Sequence, residues 1–131
     1  MSIEPESPPW PSVRARRWLF GVFAVVWLAA LTMPVPFKEP SLLGWQEPPI
    51  TFAKLLHLCA YAFFTIFAAS LRLPRARRWM LLVFIFGHAM LSELLQFTFH
   101  AYTGRTGKWS DVALDSVGIL IGMALTWKWW K

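Results

Sequence analysis

Eight polar side chains in this sequence fall into three short groups, and each group keeps to helical spacing. Lys54, His57 and Tyr61 stand at i, i+3 and i+7, and Glu93, Gln96 and His100 repeat that pattern. Asp111 and Asp115 continue into Gly118 and Gly122 at intervals of four, three and four. At about 100° per residue, each group occupies an arc of roughly 60° on one helix face. The residue types limit the chemistry. Lys54 and Arg105 are fixed cations able to hold a phosphate, Arg105 through its planar fork. Glu93, Asp111 and Asp115 can orient those cations, while Gln96 and Tyr61 supply neutral hydrogen bonds. His57 can act as a general base or nucleophile, with Glu93 or Asp111 holding its tautomer or serving as acid, so these three are the catalytic candidates.

Charge balance supports a paired cluster. Two cations face three carboxylates, and a protonated His57 would balance the excess acid. The loop Thr103-Gly104-Arg105-Thr106-Gly107 sets two glycines around one Arg, so the guanidinium can fold over the cluster. No H-x-x-x-H or related ligand spacing is present, so neither a metal nor a cofactor is expected. A bland reading stands beside the chemical ones: the polar residues could form a network that only fixes helix register. His88 lies about 140° around the helix from Glu93 and reads as a core histidine bonded to a backbone carbonyl.

The elements that position these groups follow from hydropathy. Of 131 residues, 56% are hydrophobic and 15% charged, and the mean hydropathy of +0.45 is too apolar for a soluble domain of this size. A spanning helix needs about 20 mostly apolar residues. Four runs qualify, at about 18–33, 51–73, 79–99 and 111–130. The expected fold is an all-α, four-helix transmembrane bundle over 18–131, preceded by a cytoplasmic arm at 1–17. A cleaved signal peptide is the competing reading of the first run, but no A-x-A site follows it. Pro34 to Pro49, rich in proline, reads as an irregular external connection whose Trp45 rests in the interface. Gly118 and Gly122 read as a close-packing surface between helices, and Cys59 as a packing residue.

Orientation follows from Lys and Arg. Arg14, Arg16 and Arg17 precede the first run, Arg72, Arg75, Arg77 and Arg78 join the second to the third, and Lys128 and Lys131 follow the fourth. Positive charge is retained on the cytoplasmic side, so both termini are expected there, with Trp127, Trp129 and Trp130 as an inner aromatic belt. This use of charge also explains the net +6 without a nucleic-acid partner. The three polar groups then reach one depth at the outer side, about 5 to 10 Å inside the boundary for Glu93 and Asp115. The inner halves of the runs offer nothing to relay a proton, which argues against an ion pathway.

The order K-x-x-H-x-x-x-Y, E-x-x-Q, G-R-[ST]-G and D-x-x-x-[ND]-x-x-G-x-x-x-G resembles the VanZ-like family. The residues that carry the likeness are Lys54, His57, Tyr61, Glu93, Gln96, Gly104, Arg105, Gly107, Asp111, Asp115, Gly118 and Gly122. Many members have Asn where this chain has Asp115, so the acid here adds charge. The resemblance implies a small multi-pass protein of the bacterial cytoplasmic membrane, in a family named for a member associated with lowered susceptibility to teicoplanin. The expected partner is a membrane lipid or lipid-linked anionic ligand, such as a cell-wall precursor, held by Lys54, His57, Tyr61, Glu93, Gln96, Arg105, Asp111 and Asp115. An intramembrane enzyme acting on a lipid phosphate or acyl group is the alternative.

Overall fold

The computed structural model describes residues 11–34, 52–104 and 107–131, and every regular element among them is helical. Four longer helices, α1 (Val13–Thr32), α2 (Phe52–Ala69), α3 (Arg75–Thr98) and α5 (Trp109–Leu125), are accompanied by two one-turn helices, α4 (His100–Thr103) and α6 (Trp127–Trp130). At 20, 18 and 24 residues, α1, α2 and α3 are long and apolar enough to cross a membrane. At 17 residues, α5 is shorter. The four expected spans therefore stand as three by length and composition. The last run is broken at Thr126, whose amide reaches back to both Gly122 O and Met123 O at 3.2 Å before α6 begins.

The helix ends differ from the hydropathy boundaries for identifiable reasons. Both α1 and α3 start earlier than expected, within their arginine clusters. Arginine is a good helix former, and its apolar stem can lie along the helix while its head group stays wet. Conversely, α2 ends at Ala69 rather than Leu73, because Arg72 adopts left-handed backbone at φ 49° and Pro74 then caps α3. Beyond Pro34, the expected external connection with Trp45 lies outside the described residues, as do Arg105 and Thr106.

Side-chain pairings give the helix directions. Arg16 donates from Nη1 to Ser70 O at 2.7 Å, the Phe20 and Phe64 rings lie 4.7 Å apart, and Trp27 meets His57. Rising numbers in α1 meet falling numbers in α2, so the two are antiparallel. Tyr61 pairs with His88 and His57 approaches Glu93, which makes α3 antiparallel to α2 as well. Only α5 runs parallel to α2, with Gly118 against Leu58 and Gly122 against Ala62. The contact is backbone to backbone. A Cβ at Gly118 would lie 2.4 Å from Leu58 O, and one at Gly122 would lie 2.6 Å from Ala62 O.

Burial is inverted relative to a water-soluble bundle. His57, Thr65, His88, Ser92, Glu93, Gln96 and Asp115 are buried, while Trp18, Val25, Met80, Val83 and Leu125 are exposed. Polar groups inside and apolar groups outside suit a hydrocarbon surround, where helices satisfy their own backbone bonds. The apolar part of the core runs through Phe20, Phe64, Ile85 and Ile119 to Trp130. Trp130 departs from the expected aromatic belt. It is only 1% exposed and donates from Nε1 to Thr126 Oγ1, whereas Trp127 and Trp129 remain exposed. Cys59, expected to pack, is exposed on α2. The basic end is held by Arg16 on Ser70 and by Arg78, which donates to the carbonyls of Trp129 and Lys131.

The glycine contact yields a direct test. Gly118→Ala is expected to destabilise the protein by about 1–3 kcal/mol through overpacking, read as a lower melting temperature in detergent. Gly21→Ala, where nothing lies within 4 Å of the added carbon, is the control and should not lower it.

Candidate functional site

The glycine contact between α2 and α5 sets the register of the site. With Gly118 seated on Leu58, the preceding turn of α5 brings Asp115 to His57, whose Nδ1 donates to Asp115 Oδ1 at 3.1 Å. Asp115 has 0% exposure. Glu93 enters from α3, so that one ligand atom each from His57, Glu93 and Asp115 lies within 4.8 Å of the others. Two of the carboxylate oxygens, Glu93 Oε1 and Asp115 Oδ2, are buried and have no hydrogen-bond partner among the described residues.

A loop holds Glu93 in place. Its Oε2 accepts from the backbone N–H of Lys108 at 3.1 Å. That bond requires the loop to lie directly on α3, and a Cβ at Gly107 would sit only 2.2 Å from Glu93 O. The two glycines of the loop therefore have separate tasks. Gly104 ends α4 in left-handed backbone at φ 68°, while Gly107 permits the close approach.

The other expected site residues divide. Asp111, half-buried one turn before Asp115, acts electrostatically on Glu93, His57 and Asp115. Lys54 is half-buried one turn before His57. Gln96 is buried, with Nε2 lacking a partner among the described residues. Tyr61 belongs to a deeper group instead. His88 Nε2 is 2.9 Å from Ala24 O, and because a carbonyl only accepts, this nitrogen carries the proton. The other nitrogen of a neutral ring is then free to accept, and it lies 3.0 Å from the Tyr61 hydroxyl, which donates. The reading of His88 as a core histidine on a backbone carbonyl agrees with this geometry, and it claims the Tyr61 proton as well. His100 leaves the polar face. It is exposed in α4 and bonds Phe97 O.

Three features escaped the sequence reading. Trp27 of α1 sets its ring edge-on to His57 at 6.0 Å between centroids, giving α1 a place at the site. The Lys108 amide, rather than a side chain, anchors Glu93. An open groove of about 500 Å³ runs between α3 and the start of α5, bordered by Met90, Leu94, Phe97, Trp109 and Val112, with Glu93 and Lys108 also at its wall. The i, i+4, i+7 spacing of Met90, Leu94 and Phe97 was visible in the sequence, but it is indistinguishable from an ordinary lipid-facing stripe.

Chemically, the arrangement can orient His57 through a carboxylate, as catalytic histidines are oriented, or can gather oxygen and nitrogen donors around a cation. The orienting carboxylate is Asp115, not the Glu93 or Asp111 expected from spacing.

Neither a search of curated proteins nor one of solved structures finds a significant match. The VanZ/LLP1 family model, in contrast, matches residues 11–131. That span covers every helix among the described residues and the His57–Glu93–Asp115 cluster. With the glycine register, the loop on α3 and the buried acids falling on the positions that suggested the likeness, the chain belongs to the VanZ/LLP1 family.

Proposed function

We propose that this chain is a multi-pass protein of the bacterial cytoplasmic membrane that binds an anionic lipid or lipid-linked cell-wall precursor at the outer side. The observation that carries the reading is the groove beside α3. Its walls are apolar along Met90, Leu94 and Phe97, and Glu93 and the exposed Lys108 stand at its polar part. Such a shape matches an amphiphile, with an acyl chain along the helix and a head group at the charged end. Lys108, Lys54 and Arg105 supply the phosphate contacts, and Glu93, Asp111 and Asp115 orient those cations. The teicoplanin association implied by family likeness enters as the reason to prefer a cell-wall precursor among anionic amphiphiles.

In this reading α5 and α6 together make the fourth pass. The arginine clusters support the orientation, because the contacts of Arg16 with Ser70 and of Arg78 with Trp129 and Lys131 gather them at one end, away from Glu93 and Asp115. Positive charge favours the cytoplasmic side.

A second reading rests on the His57–Asp115 pair. Oriented through Nδ1, His57 presents Nε2 as a base, suiting an intramembrane enzyme that transfers a lipid phosphoryl or acyl group. Turnover of lipid phosphate by purified protein, abolished in His57→Asn, is its signature.

Lipid binding is checked by measuring phospholipid and precursor retained after detergent washing. Leu94→Trp, which fills the groove, and Arg105→Ala or Lys108→Glu, which remove cations, should each retain less lipid. About tenfold weaker binding is expected for loss of one charge-assisted hydrogen bond. Equal retention in all four proteins would leave the cluster as a purely structural network.

Orientation is checked by cysteine labelling in a Cys59→Ser background. Tyr102→Cys, at a position 82% exposed, should react with an impermeant maleimide in intact spheroplasts. Lys131→Cys should react only after permeabilisation, and the reverse pattern refutes the proposed topology.

A further inference from the structure

We infer that His57, Glu93 and Asp115 form a binding site for a divalent transition-metal ion, with zinc as the fitting cation. The donors are one imidazole nitrogen and two carboxylate oxygens, a set that suits zinc among available divalent ions. Their spacing is already close to that of a coordination sphere. With bonds of about 2.0–2.2 Å, a tetrahedral centre separates its ligand atoms by roughly 3.3–3.6 Å. His57 Nδ1 and Asp115 Oδ1 stand 3.1 Å apart, and all three ligand atoms fall within 4.8 Å of one another. Rotation of the Glu93 side chain covers the remaining difference.

Burial and hydrogen bonding supply a second, independent observation. Asp115 is 0% exposed, yet its Oδ2 has no partner among the described residues, and Glu93 Oε1 is buried in the same condition. Buried carboxylate oxygens without donors are rare, because each such group forfeits its hydration. Two carboxylates and a neutral imidazole carry a charge of minus two, which a divalent cation cancels. On binding, His57 gives up its Nδ1 proton and takes one up at Nε2, so the ring stays neutral, its Nδ1 lone pair faces the ion, and the His57–Asp115 contact becomes an edge of the coordination sphere. The remaining Glu93 oxygen stays on the Lys108 amide, which fixes the carboxylate from behind as outer partners of metal ligands do.

The three donors come from α2, α3 and α5, so the ion gathers at one point helices that are otherwise joined there in pairs, α2 to α5 through His57 and Asp115 and α3 to the start of α5 through Glu93 and the Lys108 amide. With three protein ligands, the fourth position is left to water or to an oxygen of a lipid head group. That last clause alone rests on the lipid-binding reading.

The test uses full-length protein purified in detergent, stripped with a chelator, and then titrated with zinc alone. Wild type is expected to take up zinc in stoichiometric amount by elemental analysis after dialysis. Its melting temperature should rise by at least about 3 °C on zinc addition, since a ligand bound only by the folded state stabilises it. The near-isosteric Asp115→Asn and Glu93→Gln should keep the helical circular dichroism of wild type while losing both zinc uptake and the thermal response. Gly107→Ala serves as a second variant, displacing the loop through a clash with the Glu93 backbone while keeping all three ligand side chains, and should weaken zinc uptake rather than abolish it. Stripped wild type that neither retains zinc nor changes its melting temperature overturns the inference. So does unaltered zinc uptake by Asp115→Asn and Glu93→Gln, which would place the ion elsewhere. The lipid reading fails separately, through Leu94→Trp, which should bind zinc normally.

Discussion

Asp115 places a carboxylate with no exposed surface among apolar helices, and its neighbours are arranged around that fact. An isolated charge in such a position costs several kcal/mol, so the group must be paired, protonated or bound to a cation. His57 answers from α2, Glu93 comes close from α3, and Trp27 of α1 lies against the imidazole. One buried acid thus draws on every long helix of the fold. Deeper in the bundle the polar groups His88 and Tyr61 are neutral and satisfy one another, with Ala24 O taking the remaining imidazole proton.

This convergence depends on how closely α5 can approach α2. The two helices meet through Gly118 and Gly122 on the backbone of Leu58 and Ala62, closer than any side chain would permit. Without that approach Asp115 would not meet His57 at 3.1 Å. Gly107 plays the corresponding part on α3, letting the loop reach the Glu93 carboxylate. Glycine at these three positions therefore governs polar chemistry that glycine itself cannot perform.

Much of this was legible in the sequence because both periodicity and charge asymmetry are local signals. Helical spacing put His57 and Tyr61 on one face and Asp115 above Gly118, and the arginine clusters marked one end of the bundle. Pairings between helices were not legible. Spacing cannot say that Tyr61 turns to His88 while His57 turns to Asp115, because the choice depends on the depth at which α3 packs. Nor can composition reveal that Thr126 interrupts the last helix or that Trp130 folds inward onto its hydroxyl. The end of the polar stripe at His100 was misjudged for a similar reason: α3 stops at Thr98, and a helical wheel drawn past a helix end no longer describes a face.

The wide separation of His57 from Asp115 along the chain bears on biogenesis. Ribosomal synthesis delivers α2 and α3 well before α5, so an imidazole and a carboxylate already stand together when the final acidic segment arrives. An aspartate that must be buried among apolar helices without a partner is unfavourable, because it forfeits its hydration. A waiting imidazole lowers that barrier, and the glycine face lets the newcomer dock without rearranging its host. Docking of α5 and completion of the polar cluster are thereby a single event.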